Sequence, residues 1–371
     1  MNGSEVRQRI VAQARRIVVK VGTNAICDRG GRPDLSAIRA LARQIAAVRE
    51  AGVSVTLVAS GAIGAGLGEM ALDRRPKNMP QLQAVAAVGQ GQLMRIFHDI
   101  FARHGVKVAQ VLVTRDDFTD RTRYLNIRNT LTALDEFRSL PIINENDTVA
   151  VDEIRFGNND ILAALVTNLL AADLLVFLTS VGGLIDGKEI VPVVREVNGE
   201  VLSMVRDDRS PLGTGGMGSK LEAAAMVTRA GELAVIASSR EDDVLRRLLA
   251  GEEIGTVFVP ARRKMSSRRR WIGQASRPAG RVVVDAGAAR ALIERGKSLL
   301  PSGVTAVAGR FAKGAVVSVV GVDGNEIARG LTNYSAAQLD RIKGLKTTQI
   351  ARVLGDKPYD EVIHRNNLTL R

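Results

Sequence analysis

The chain has 371 residues, 46% apolar but only 3% aromatic, with 52 Lys and Arg against 39 Asp and Glu and a net charge of +13. This length exceeds one ordinary core and predicts roughly two domains, filled mainly by Ala, Val, Leu and Ile. One cysteine, Cys27, excludes an internal disulfide framework, and no apolar stretch reaches the ~20 residues of a spanning helix. With a polar N-terminus and no secretory signal, the expectation is a soluble, cytoplasmic protein that attracts anions.

Residues 15–260 alternate β-branched runs with longer Ala-rich periods. The pattern predicts a strand over 17–21, a helix over 35–50 stopped by Gly52, and a strand over 53–59 running into Ser60 and Gly61. A helix over 80–104, a strand over 106–114, a helix over 124–137 and a short strand over 140–144 follow. A helix over 159–170 opens at Asn158-Asn159-Asp160 and leads to a strand over 174–179. Then come a helix over 220–230, a strand over 233–237, a helix over 242–249 and a strand over 255–259. Strands spaced by helices imply a mostly parallel α/β sheet covered on both faces, a three-layer αβα sandwich. Ligands in such sheets sit beyond the carboxyl ends of the strands.

This domain is expected to span 1–260. Residues 261–279 carry Arg262, Arg263, Lys264, Arg268, Arg269, Arg270 and Arg277 without an acid, which predicts a basic linker. Residues 280–371 predict a small β-rich domain, with strands over 282–284, 315–320 and 326–331 and helical pieces near 287–295 and 335–341.

Two lysines in glycine-rich settings carry the chemistry. Lys20 closes an apolar strand and enters Val21-Gly22-Thr23. Lys220 ends the run Gly213-Thr214-Gly215-Gly216-Met217-Gly218-Ser219. Glycines let backbone N–H groups approach an anion, and lysine is a compact cation suited to phosphate. Two such cradles suggest a nucleoside triphosphate held from both sides. The second is not a Walker A loop, because Ser219 precedes the lysine. A lysine inside a buried strand needs a partner, and one at a helix start opposes the helix dipole, so both call for an anion.

Ser60-Gly61-Ala62-Ile63-Gly64-Ala65-Gly66 lacks Rossmann spacing. It fits a further anion cradle, with packing glycines as the alternative. Asn144-Glu145-Asn146-Asp147 and Asn158-Asn159-Asp160 crowd amides and carboxylates at strand ends, a seat for an ammonium group or for Mg²⁺ through water. For Asp160 alone, an ordinary helix cap is the alternative. The histidines His98, His104 and His364 are scattered, so neither a transition-metal site nor a Ser-His-Asp triad is expected. Cys27 is expected to be a small filler rather than a reactive thiol. Arg268–Arg270 with Trp271 is a weak RNA-binding signal, against a solvated segment and a packed ring.

The chain over residues 15–371 resembles the glutamate 5-kinases of the amino acid kinase superfamily, with a carboxy-terminal PUA domain. The resemblance is carried by Val18-Val19-Lys20-Val21-Gly22-Thr23, Ser60-Gly61-Ala62-Ile63, Ala86-Ala87-Val88-Gly89-Gln90, Leu112-Val113-Thr114-Arg115, Ile142-Ile143-Asn144-Glu145-Asn146-Asp147 and Gly213-Thr214-Gly215-Gly216-Met217. It implies transfer of the ATP γ-phosphoryl to the side-chain carboxylate of glutamate, the first step of proline biosynthesis, with Mg²⁺ bridging the phosphates.

By position, Lys20 and Lys220 resemble the family's contacts to the transferring phosphoryl, and Asp160 its organiser of the two lysines. Ser60, Gly61, Asp147 and Asn159 resemble the glutamate-binding positions. Lys20, Gly22, Thr179, Ser180 and Thr214, Gly215, Gly216, Met217, Gly218, Ser219 and Lys220 resemble the ATP-binding ones. Ser180 and Asn158 stand where the family often has aspartate, and 181–200 is short. The resemblance further implies a homo-oligomer, dimer or tetramer, proline inhibition near Asp147 to Asn159, and hand-off of the acyl phosphate to glutamate-5-semialdehyde dehydrogenase. RNA binding through the PUA domain and a regulatory role for it are equal alternatives. A sibling kinase for another acceptor, or an RNA-binding factor, is the competing reading.

Overall fold

The computed structural model describes residues 5–8, 10, 14–28, 30–150, 159–205, 216–260, 264–275, 277–356 and 358–370. Contacts divide the chain into two units: Met1–Asp117 with Thr122–Lys264, and Met265–Arg371 with Phe118–Arg121.

Chain order runs β1 (Arg16–Val21), α1 (Leu35–Glu50), β2 (Ser54–Ala59), α2 (Ala62–Glu69), α3 (Met79–Ala102), β3 (Val108–Val113), α4 (Arg121–Glu136), β4 (Leu140–Glu145), α5 (Asn159–Leu170) and β5 (Leu174–Thr179). It continues through β6 (Ile185–Asp186), β7 (Glu189–Ile190), β8 (Val193–Val194), α6 (Met217–Arg229), β9 (Leu233–Ser238), α7 (Val244–Leu249) and β10 (Thr256–Phe258). Eight strands form one sheet in the order β3-β4-β2-β1-β5-β9-β10-β8, and β6 and β7 form a separate hairpin. The pairings from β3 to β9 are all parallel. The predicted last strand, β10, runs antiparallel to β9 and pairs in parallel with the short β8. Gly255 (φ +68°) makes that reversal possible, since a Cβ there would lie 2.2 Å from the Ile236 carbonyl oxygen.

Period-two alternation decides which side chains meet. Ile17, Val19 and Val21 of β1, Val55 and Leu57 of β2, and Leu174 and Val176 of β5 share one core with Ile38 and Ile45 of α1, Phe97 and Phe101 of α3, and Leu248 of α7. The opposite parity, Val18, Lys20, Val58 and Phe177, faces the other side. There α5 lies against the central strands and α6 packs on α5 and β9. Every residue of α5 is buried, as expected for a helix apolar on most of its surface, with Thr167 and Asn168 the polar residues beyond its first turn. The result is three layers, with Lys20 on the α5 side.

The second unit holds β11 (Gly280–Val284), α8 (Ala286–Arg295), β12 (Val304–Gly309), β13 (Val316–Val320), β14 (Glu326–Leu331), α9 (Ala336–Ile342) and β15 (Leu368–Leu370). Its sheet has the order β12-β11-β13-β14-β15 and packs Val282, Val284, Val317, Val319 and Ala328 against Leu292 of α8 and Leu339 of α9. Asp285 caps α8, and Ser335 with Gln338 closes a capping box on α9.

Most of the predicted linker lies among the described residues. Ser267–Arg270 forms a helical turn and Trp271–Ala275 a π-type turn. Arg268 is exposed, but Arg270, Trp271 and Ile272 are buried. The Trp271 indole Nε1 donates to the Phe118 carbonyl oxygen (3.2 Å), and the Arg121 guanidinium lies 5.0 Å from its ring centroid. A ring buried in this way is a packing residue, the reading the sequence favoured over stacking on a base.

Candidate active site

Because its strands are parallel, the central part of the sheet brings its carboxyl ends to one edge. Lys20 and Gly22 lie at the end of β1, Ser60 and Gly61 after β2, Asn144 and Asp147 at and after β4, and Thr179 and Ser180 at the end of β5. β1 sits between β2 and β5, where the connections diverge, the position at which such sheets hold ligands. The first turns of α5 and α6 supply Asn159, Asp160 and the run Gly216 to Lys220. Asn158, Thr214 and Gly215 lie outside the described residues.

Asp160 is the centre of this edge and is 0% exposed. Lys20 Nζ lies 2.7 Å from its Oδ1 and Lys220 Nζ 3.2 Å from its Oδ2. Both lysines are themselves buried, at 5% and 8% exposure. The Ser219 hydroxyl donates to Oδ2 at 2.6 Å, with the Gly216 carbonyl oxygen a second acceptor at 2.9 Å. Burial alone would push the Asp160 carboxyl up, but Lys20, Lys220 and the hydrogen bonds hold it at about 2. Burial lowers Lys220, opposed by Asp160 and reinforced by Lys20. A carboxylate at the start of α5 is favoured by the helix dipole, whereas Lys220 near the start of α6 is not, and Asp160 compensates it. The triad carries a net buried charge of +1. That charge is costly unless an anion arrives.

An amide cluster adjoins the triad. Asn159 Nδ2 lies within donating distance of the Ala59 carbonyl oxygen (3.2 Å), Ser60 Oγ (2.9 Å) and Asn144 Oδ1 (3.0 Å). Asn144 Nδ2 donates to Gln90 Oε1 at 2.8 Å, and Asn144 Oδ1 also accepts from the Glu145 N–H at 2.9 Å. Asn159 Oδ1 is buried and has no hydrogen-bond partner among the described residues. Asp147 stands apart: among the described residues no hydrogen bond joins it to this cluster. Burial pushes its carboxyl up to about 6, with Arg75 pulling the other way.

The nucleotide-side candidates lie at the same edge. Gly216 caps α6 in an extended conformation without a side-chain capping bond, which leaves the first N–H groups of a 13-residue helix available to phosphate. Among the described residues a Cβ at Gly218 would meet nothing within 4 Å, and one at Gly22 would stand 3.5 Å from Lys20 Nζ. Thr179 and Ser180 are half-buried, and the Thr179 carbonyl oxygen accepts from the Ser239 N–H at 2.7 Å.

The 60–66 run divides. Gly61 has φ +110° at the strand end, as a cradle requires. Gly64 and Gly66 are packing glycines instead: a Cβ would lie 1.7 Å from the Gly31 carbonyl oxygen and 2.0 Å from that of Val85. Cys27 is half-buried near Gly61, and burial, with Asp28 and Asp34, pushes its thiol up to about 12. Such a thiol is not a nucleophile at neutral pH. The sequence reading assigned no role to Gln90, and only its neighbourhood in Ala86-Ala87-Val88-Gly89-Gln90 marked it.

The chain matches the amino acid kinase family over residues 15–238 and the PUA domain over residues 280–354, and it belongs to the amino acid kinase family. Within that family it stands with the glutamate 5-kinases. Relatives of that name from Moorella thermoacetica and Caldanaerobacter subterraneus are each 47% identical over 96% of this chain and 97% of their own. The one from Syntrophus aciditrophicus is 44% identical over 99% of this chain and 97% of its own.

Proposed function

We propose that this chain transfers the γ-phosphoryl group of ATP to the side-chain carboxylate of L-glutamate, giving glutamyl 5-phosphate, the first step of proline biosynthesis. The observation that carries this reading is the buried Lys20–Asp160–Lys220 triad beside the Ser60–Asn144–Asn159 cluster, at the carboxyl edge of a parallel sheet. The extensive identity to glutamate 5-kinases supports it independently.

The acceptor carboxylate is already an anion at neutral pH. One of its oxygens attacks the γ-phosphorus, the bond to the β,γ-bridging oxygen breaks, and ADP leaves. No proton moves, so no general base is needed, and positioning with charge neutralisation suffices. Lys20 and Lys220 neutralise the transferring group from two sides. Asp160 holds both ammonium groups in place and stays ionised throughout the physiological range. Ser60, Gly61, Asp147 and Asn159 seat glutamate. Gly22, Thr179, Ser180 and the loop ending at Lys220 seat ATP, with Thr214 and Gly215 assigned by resemblance alone.

The donor set does not fit a resident metal. Both Asp160 oxygens are committed to lysines and Ser219, and among the described residues no three His, Cys, Asp or Glu side chains are grouped to hold an ion. Mg²⁺ therefore enters with ATP, as part of the substrate. A cytoplasmic location belongs to the same reading, and among the described residues no helix is long and apolar enough to cross a membrane. A homo-oligomer, proline inhibition and hand-off to a reductase belong to the same reading.

The test is formation of glutamyl hydroxamate by the purified chain with ATP, Mg²⁺, glutamate and hydroxylamine. Turnover that requires both ATP and glutamate is expected. ATP consumption with another carboxylate, carbamate or nucleotide in preference to glutamate would move the assignment to a sibling kinase.

A further inference from the structure

We propose that Gln90 is a positioning residue. It anchors Asn144 in a buried amide relay and so holds Asn159 Oδ1 toward the amino-acid substrate as an acceptor for its ammonium group. This rests on the glutamate-kinase reading above.

The polarity of the relay follows from groups that cannot be reversed. The Glu145 N–H only donates, so the Asn144 oxygen must face it, at 2.9 Å. Asn144 Nδ2 then points at Gln90, which must offer its oxygen, at 2.8 Å. On the other side, the Ala59 carbonyl oxygen and Asn144 Oδ1 only accept, so both demand the Asn159 nitrogen. With that nitrogen turned toward them, Asn159 Oδ1 is left buried and without a partner among the described residues. A buried acceptor left unsatisfied is expensive, and a donor brought by a ligand removes the cost. The Ser60 oxygen lies 2.9 Å from the same nitrogen, which leaves its own proton for another acceptor. An acceptor beside a hydroxyl donor matches the ammonium and carboxylate of an amino acid.

Gln90 is well placed for this role. It is 9% exposed, and its neighbour Gly89 locks α3 against α2: a Cβ at 89 would lie 1.8 Å from the Ala62 carbonyl oxygen. The helix that carries Gln90 therefore cannot drift away from the relay. Without an acceptor at 90, Asn144 Nδ2 loses its partner, and the Glu145 N–H alone is left to hold Asn144 Oδ1 beside Asn159.

The test compares glutamate with glutarate, which lacks the amino group, in the parent, Gln90→Met and Gln90→Glu. Gln90→Met removes the acceptor at similar volume, and Gln90→Glu retains one. We expect Gln90→Met to raise the glutamate KM about tenfold, the effect of one misaligned hydrogen bond, while the ATP KM and the glutarate inhibition constant stay within about twofold. Gln90→Glu stays nearer the parent. Equal weakening of glutamate and glutarate, or an ATP KM that rises in step, would overturn the proposal, as would an unchanged glutamate KM in Gln90→Met. A parent that phosphorylates no glutamate would overturn the functional reading instead. Thermal melts of each variant separate a loss of fold from a loss of recognition.

Discussion

Two carboxylates at the candidate site differ in environment, and so they act oppositely on stability. Asp160 falls from an ordinary value of 3.8 to about 2, held down by two lysines against its burial. Its contribution to stability is present above about pH 4 and is lost as pH falls toward 2. Asp147 rises from 3.8 to about 6 through burial. Its folded form binds the proton more tightly, so stability is lost as pH rises from about 4 to 6. Asp147→Asn is therefore expected to flatten the dependence of Tm on pH between about 4 and 6 and to raise Tm above that range, while weakening glutamate binding. A parallel shift of the two Tm curves would contradict the assignment of that slope to Asp147. Lys220→Ala tests the chemistry. Removing one preorganised cation from a water-poor site costs about 3 kcal/mol in the transition state, roughly a hundredfold in kcat, with little change in glutamate KM. Near-normal turnover in that variant would remove the triad from the mechanism.

Two helices illustrate how glycine serves packing in one place and ligand approach in another. α2 and α3 touch through Gly66 and Gly89, where any Cβ would lie 2.0 Å or less from a backbone carbonyl oxygen. Gly89→Ala must push the helices apart, at a cost of about 1–3 kcal/mol, visible as a lower denaturation midpoint. A Cβ at Gly218, in the first turn of α6, would meet nothing within 4 Å among the described residues. Gly218→Ala should gain up to about 1 kcal/mol of helix stability. If the N–H groups there cradle phosphate, the same change raises the ATP KM. A higher midpoint with an unchanged ATP KM would show that nucleotide does not approach this turn. Gly66 and Gly218 both sit in Gly-rich strings that look alike in sequence. Only the neighbour across the gap tells them apart.

Charge is divided unevenly over the whole molecule. Residues 265–371 hold 18 Lys and Arg against eight Asp and Glu, a net +10 of the chain's +13. A single-sign field of that size favours polyanions, and for the unit that matches a PUA domain we expect RNA binding by the intact chain. Its affinity should fall steeply between about 50 and 200 mM salt, and a flat salt response would exclude a phosphate-driven contact. The sequence by itself determined the α/β alternation, the β-rich second unit and the residues that punctuate the strand ends, because β-branched runs, helical periods and Gly breaks are local. It missed β12, whose Ala and Gly residues alternate weakly, and β15, three residues held by pairing with β14. It placed Lys20, Asp160 and Lys220 in separate motifs. The family resemblance joined them, and the tertiary structure shows how they meet. Strand order sets β1 between β2 and β5, and parity turns Lys20 toward α5. Burial then forces Asp160 to pair with both lysines, since no isolated charge survives there. The same long-range packing made packing contacts of Gly64 and Gly66 and brought Gln90 to Asn144, partners that no local pattern encodes.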